Sequence, residues 1–362
     1  MRTYIVFIGL LLGVISHTDA CTTFVLQDSA NIVFGRNFDY DLGVGFVVVN
    51  KRGVEKQAIV HASCIPARWT ARYGSVTFNQ VGIDAPMGGM NEKGLVIAQM
   101  ALPETEYPQD TVKPVLNQLE WIQYQLDCSA SFQEVVENNR KISIVPVATP
   151  VHYFICDRSG NKGIIEFLNG RLIILQGEEV IAPVCSNMSY EKSKIALHEY
   201  RDFGGQKAIP EHWGSIADII TITASKIKAF KNRKHTNAVD YGFEILTAVG
   251  SSERTQWSVI YDIASRCIYF KTNSNKKIRT IDLNRLDFSC DLQIPVSDIQ
   301  SNHAVNDSIL QFRNLEKEDY YAYKRNLVNW FKQHVEGFPE IPEALLRVET
   351  EYIFNRKCII NY

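Results

Sequence analysis

SHTDACTTFVLQDS, residues 16–29, follows an apolar run and places a cysteine where a secretory leader would be cut. Arg2 supplies a positive start, and Tyr4 to Ile15 (YIVFIGLLLGVI) is an apolar stretch of leader length, too short to span a bilayer. Thr18-Asp19-Ala20 then offers small residues in the pattern of a cut before Cys21. The expectation is a signal peptide over residues 1–20, removed in a secreted or lysosomal, extracytoplasmic compartment. The mature chain would open Cys-Thr-Thr, and the segment CTTFVLQ, rich in β-branched and apolar residues, reads as its first strand.

A cysteine at a chain start carries a thiol and an α-amine on one residue. The amine titrates near ~7.7–8.0, so near neutrality a useful fraction is free base. It can take the thiol proton directly or through one water, with no histidine required. Three plainer readings stand beside this one: a structural half-cystine, a cut elsewhere, and a bacterial lipidation site. The last fits poorly, because Thr18-Asp19 replaces the residues expected before a lipidated cysteine. On the terminal cysteine alone the plainer readings come first. Fifteen residues on, GRNFDY (35–40) brings Arg36 and Asp39 onto a second strand that could pair antiparallel with the first. A guanidinium beside a thiol favours thiolate, and a carboxylate beside an ammonium orients it. The plainer reading is a surface ion pair at a strand end.

The 362 residues are 46% apolar and 22% charged, with a formal net charge of −2. That is ordinary globular composition, long enough for a sizeable core. A near-neutral balance gives no basis for nucleic acid or an anionic membrane surface as partner. No later run approaches ~18 apolar residues, so no stable membrane insertion is expected. Eight cysteines stand at 21, 64, 128, 156, 185, 267, 290 and 358, with no C-x-x-C pair and no zinc spacing. No histidine sits in a metal-binding arrangement, and no P-loop or dinucleotide fingerprint is present. No metal and no organic cofactor is therefore expected.

Along the chain, strand patterns at NIVFGRNFDY, GFVVVNKRG, RYGSVTFNQVG and GLVIAQMAL are separated by turns, with GGMNEKG read as a tight turn. From Pro114 the period changes: Val115, Leu119, Ile122 and Leu126 recur at helical spacing. Ser131 and Glu134 have capping-box spacing before a second helix. Strands resume at PVHYFICD, GIIEFL and GRLIILQG. Residues 215–231 and 237–249 read as helices, and WSVIYDIASRCIYFKT as a hairpin. The last stretch, roughly 305–355, is helical with a break at GFPEIP. Strands, helices, strands, helices, strands suit a layered α+β fold. Trp69, Trp121, Tyr124 and Trp257 could line an acyl pocket, although aromatics at such spacings more often belong to the core.

CTTFVL at the mature start, then VFGRNFDY, VVVNKRG and GGMNEKGLVIA, together resemble the choloylglycine hydrolase family of linear amide C–N hydrolases, which includes bile salt hydrolases and penicillin V acylases. The resemblance runs from Cys21 to about Asp287. It implies a four-layer αββα N-terminal-nucleophile sandwich over residues 21–304, followed by a helical extension over 305–362. It implies hydrolysis of a small amphipathic N-acyl amide through Cys21 as nucleophile and base, with Arg36 and Asp39 beside it and Asn187, in VCSNMSY, in the oxyanion hole. Asn187 also begins a glycosylation sequon, Asn187-Met188-Ser189; Asn306-Asp307-Ser308 is the better glycan candidate. Two family positions are not matched. A second asparagine expected about ten residues after Asn91 falls at Ala101, and a late arginine falls near Ala224. Arg254 could supply the charge instead, but reads more simply as a surface turn arginine. The rival functions are a Cys–His hydrolase using Cys128 or Cys156 with His152, and a secreted binding protein without catalysis. Assembly of identical chains is left open by the sequence.

Overall fold

The computed structural model describes residues 21–29, 31–61, 63–109, 112–231, 237–301 and 309–359. The leader read over 1–20 and the Asn306 sequon lie outside the described residues. The chain begins with the hairpin β1 (Thr22–Gln27) and β2 (Ile32–Asp39). Next come β3 (Phe46–Asn50), β4 (Ser75–Asn79), β5 (Pro86–Asn91) and β6 (Val96–Ala101). Helices α1 (Glu120–Cys128) and α2 (Phe132–Asn139) precede β7 (Val151–Cys156), β8 (Lys162–Leu168), β9 (Arg171–Gln176) and the short β10 (Val184–Cys185). Helices α3 (Tyr190–His198), α4 (Ile216–Phe230) and α5 (Ala238–Val249) lead to β11 (Thr255–Asp262), β12 (Cys267–Thr272) and β13 (Arg279–Asp282). After β14 (Pro295–Asp298) and β15 (Arg313–Asn314), α6 (Lys317–His334) and α7 (Glu343–Phe354) close the fold.

Two antiparallel sheets result. One has the order β10-β1-β2-β11-β12-β13, the other β9-β8-β7-β6-β5-β4-β3-β14-β15. Alternate residues of a strand point to opposite faces, and the apolar clusters divide accordingly. Val25, Phe34 and Val259 of the first sheet meet Val47, Val76, Met90 and Phe154 of the second in one core. Phe24, Leu26 and Ile260 turn the other way and pack with Ile220 and Leu246 of α4 and α5. Ile97, Tyr153 and Ile165 turn outward from the second sheet against Trp121 and Val135 of α1 and α2. The layers are therefore α, β, β, α, as the resemblance implied.

Local signals set the helix starts. Ser131 Oγ accepts from Glu134 N at 3.2 Å, while Glu134 Oε2 reaches back to Ala130 N at 3.1 Å. Asn237 Oδ1 accepts from Val239 N at 2.9 Å at the head of α5. Two expectations shift. Val115 and Leu116 form a short strand pairing with Ser143 and Ile144, and the helix begins only at Glu120. Asn117 Oδ1 explains the delay, because it accepts from both Leu119 N and Glu120 N at 2.9 Å and so fixes the start. The GGMNEKG segment is not one turn. Gly88 to Asn91 continue β5, and the turn is confined to the residues after it, where Gly94 takes φ +84°. Asn91 holds that turn by donating to Leu126 O and Ser129 O and accepting from Lys93 N and Leu95 N.

The helices α6 and α7 lie against the outer side of β3, where Tyr320 and Ile353 pack with Phe46 and Val48. They also hold the β4–β5 connection. Lys324 Nζ donates to Val81 O at 2.8 Å, Ile83 N donates to Tyr320 Oη at 3.2 Å, and Arg356 pairs with Asp84. A disulfide joins Cys290 to Cys358 across 68 residues of chain. Closing a loop of that size in the unfolded chain stabilises the fold by about 4 kcal/mol in the chain-entropy account.

Candidate active site

The strand β1 lies between β2 and β10, and register does the positioning. Thr23 stands opposite Arg36 on one side and opposite Cys185 on the other. Continuing the β2 register back from Thr22 and Thr23 sets Cys21 beside Phe38, while on the other side Ser186 and Met188 bridge each other and bend the chain at Asn187. Directly opposed residues of an antiparallel pair share a sheet face. Cys21, Arg36 and Phe38 accordingly turn inward, with Val25, Phe34 and Val259, toward the second sheet. The approach of residues 185–187 to Cys21 is fixed by Ser186 Oγ, which donates to Cys21 O at 2.7 Å.

Cys21 is 7% exposed and carries a thiol rather than a disulfide. Its Sγ lies 3.8 Å from Asp39 O, a donor–acceptor contact of sulfur length. Arg36 is buried, with Nη1 donating to Met87 O and the guanidinium 5.5 Å over the Phe38 ring. Phe38 in turn stacks on Trp257 at 4.1 Å between centroids. Gly88 makes the room: a Cβ there would sit 2.8 Å from Arg36 Nη1. Burial pulls the guanidinium down from its ordinary value, and the neighbouring Cys21, Tyr261 and Asp39 oppose that shift. The same coupling, read from the sulfur, is a cation held beside a thiol. Asp39 is buried as well. Its carboxylate accepts from Thr255 Oγ1 at the β11 irregularity, and its carbonyl faces the thiol.

Asn187 is half-buried, and its Oδ1 is shut away from solvent with no hydrogen-bond partner. That unspent oxygen is an acceptor; the donor an oxyanion would need is the Nδ2 of the same side chain. The structure thus brings Cys21, Arg36, Asp39 and Asn187 together from four points in the sequence.

Other sequence candidates fall elsewhere. Ala224 packs in the cluster between α4, α5 and the outer face of the first sheet, away from Cys21. Ala101 closes β6 opposite Val151. Trp69, Trp121 and Tyr124 belong to the outer α1–α2 layer. Arg254 lies in a turn, as read, but is partly buried there and paired with Asp41 at 2.7 Å. The alternative nucleophiles Cys128 and Cys156 are pushed up to about 12 by burial, and the sulfur beside His152 is that of Cys185. Sequence reading missed Thr23, Ser186 and Tyr261. Thr23 Oγ1 donates to Cys185 O at 3.0 Å and lies 3.4 Å from Met100 Sδ. Tyr261 is fully buried, which raises its phenol well above the usual value, while Arg36 pulls the other way. Only the strand register could have revealed them, and β10, two residues long, has no periodicity to read.

The fold is an α+β sandwich of the kind N-terminal-nucleophile hydrolases adopt. The chain belongs to the choloylglycine hydrolase family of linear amide C–N hydrolases, whose model matches residues 21–216. It is 26% identical over 263 residues to a penicillin V acylase of Pectobacterium atrosepticum, covering 61% of this chain and 69% of that one. It is 24% identical over 328 residues to a bile salt hydrolase/transferase of Lactiplantibacillus plantarum, covering 79% of this chain and all of that one. Among solved structures, a penicillin V acylase from Agrobacterium tumefaciens superposes with a TM-score of 0.69 over 82% of this chain and 98% of its own, at 23% identity. A mutant conjugated bile acid hydrolase from Clostridium perfringens superposes at 0.64, covering 79% and 99%, at 18% identity. At these identities the structural likeness is one of fold.

Proposed function

We propose that this hydrolase cleaves small amphipathic N-acyl amides in an extracytoplasmic compartment, using Cys21 as its first residue once residues 1–20 are removed. The α-amine takes the thiol proton, and the thiolate adds to the amide carbonyl. The Asn187 side-chain amide donates to the oxygen as it becomes an oxyanion. The intermediate collapses, the C–N bond breaks, and the protonated amine returns its proton to the leaving nitrogen. Water, activated by the same amine, then hydrolyses the thioester. Arg36 favours thiolate, and Asp39 positions the nucleophile through its carbonyl and orients the amine. One observation carries this reading: a cysteine outside any disulfide shares an inner sheet face with a buried arginine, and its carbonyl is held by Ser186, the neighbour of a half-buried asparagine. The Cys290–Cys358 disulfide suits an oxidising compartment.

The test is acid quenching during turnover of a panel of N-acyl amides that vary in acyl length and amine. Mass analysis should find an acyl group on the peptide beginning at Cys21, labile to hydroxylamine as a thioester is. Hydrolysis with the adduct on another peptide, or no adduct and no hydrolysis across the panel, would contradict the proposal.

A further inference from the structure

Between the sheets, beside the segment that carries Asn187, lies a fully buried group the chemistry above does not use. His152 on β7 and Glu166 on β8 are cross-strand neighbours, one position on from the Tyr153–Ile165 pair. His152 Nδ1 meets Glu166 Oε1 at 2.9 Å, and Nε2 meets Ser186 O at 2.7 Å. The same Glu166 Oε1 accepts from Tyr190 N at 2.8 Å, at the first residue of α3. Cys185 Sγ lies 3.6 Å from His152 Nε2. All four side chains, with Tyr190, are buried.

A backbone carbonyl only accepts, so Nε2 carries hydrogen. Nδ1 and Glu166 Oε1 share a further proton, which on the ring makes an imidazolium, a satisfied buried pair of the kind that holds one arrangement against others. Although desolvation alone would lower it, the contacts to Cys185 and Glu166 raise His152 to about 10. Those two are the titratable groups that face the ring, from β10 and β8; across β6 it faces Met100.

The geometry points to His152 and Glu166 as positioning residues that clamp both ends of the segment 186–190 and thereby fix Asn187 in the bend beside the Ser186–Cys21 contact. Nε2 holds the Ser186 carbonyl, Glu166 holds the Tyr190 amide, and Asn187 lies between. Ser186 is the shared link, because its hydroxyl is bonded to Cys21 O. This inference rests on the reading of Asn187 as the oxyanion donor.

Glu166→Gln tests it with no change of volume. One oxygen now serves two donors, His152 Nδ1–H and Tyr190 N–H. An amide that turns its oxygen there leaves a neutral imidazole whose Nε2 lone pair faces the Ser186 carbonyl. An amide that turns its NH₂ there loses Tyr190. Either way one end of the segment is released. Acid restores the imidazolium, and with it both bonds. The variant should lose about 10- to 100-fold in kcat at pH 7 and above, with KM little changed. The ratio of wild-type to variant kcat should narrow as pH falls. In an Asn187→Ala background the same substitution should cost no more than about threefold. A ratio constant with pH, or full additivity with Asn187→Ala, would overturn the clamp while leaving Asn187 in place. A silent Asn187→Ala would instead remove the oxyanion reading, and the clamp with it. Should Glu166→Gln fail to fold, His152→Gln, whose N–H donors sit on one nitrogen and cannot replace both ring nitrogens, is read by the same non-additivity.

Discussion

Cys21→Ala leaves a folded protein whose amide hydrolysis falls by a factor on the order of 10⁴ to 10⁶, the range seen when a nucleophile is removed and only binding and oxyanion contacts remain. The side chain lost is small, and its sulfur contact to Asp39 O is a long one. The fold should therefore give up no more than about 1 kcal/mol, the ordinary size of a point substitution. Thermal unfolding and single-turnover hydrolysis on the same sample separate the two effects. If hydrolysis persists within tenfold of wild type, another group attacks the carbonyl. The internal cysteines are poorly suited to replace it. Cys128 and Cys156 are thiols at neutral pH, and Cys185, raised by burial, has no exposed surface to offer a substrate.

The second large effect belongs to Asn187. Replacing it with alanine removes a donor that acts on charge present only as the transition state forms. The expected loss is about 10²- to 10³-fold in kcat, roughly 3–4 kcal/mol, with little change in KM. A KM effect of that size with kcat intact would make Asn187 a substrate-binding residue. The unmatched family asparagine sharpens this expectation. Ala101 has no side-chain donor, so under the proposed mechanism Asn187 would carry more of the oxyanion's stabilisation.

Much of this site could be read from the chain because its chemistry is local. Cys21 at the head of one strand, a second strand fifteen residues on with Arg36 and Asp39, and a turn of the right length between them define a hairpin, and the hairpin sets the face. The helix starts at Ser131, Ser215 and Asn237 were equally local, since a cap is decided within one turn. What was not legible depends on partners far apart in sequence. Gly88 looks like a turn residue until Arg36, on a distant strand, is seen to need its missing Cβ. Asp39 reads as a carboxylate for the amine; that its carbonyl also meets the sulfur, and that Thr255 Oγ1 donates to the carboxylate, only the fold shows. His152 was read as a partner for Cys128 or Cys156; across the sheets it meets Cys185 and the Ser186 carbonyl instead. Such pairings follow from sheet order, which no local pattern encodes.

The account's central claim is that the base is the nucleophile's own α-amine, and one comparison addresses it directly. Protein beginning at Cys21 and protein retaining a single residue, Ala20, ahead of it should fold alike and carry the same thiol. The account predicts that amide hydrolysis by the longer form falls to the level of Cys21→Ala and returns when that one residue is removed. Equal hydrolysis by the two forms would contradict it.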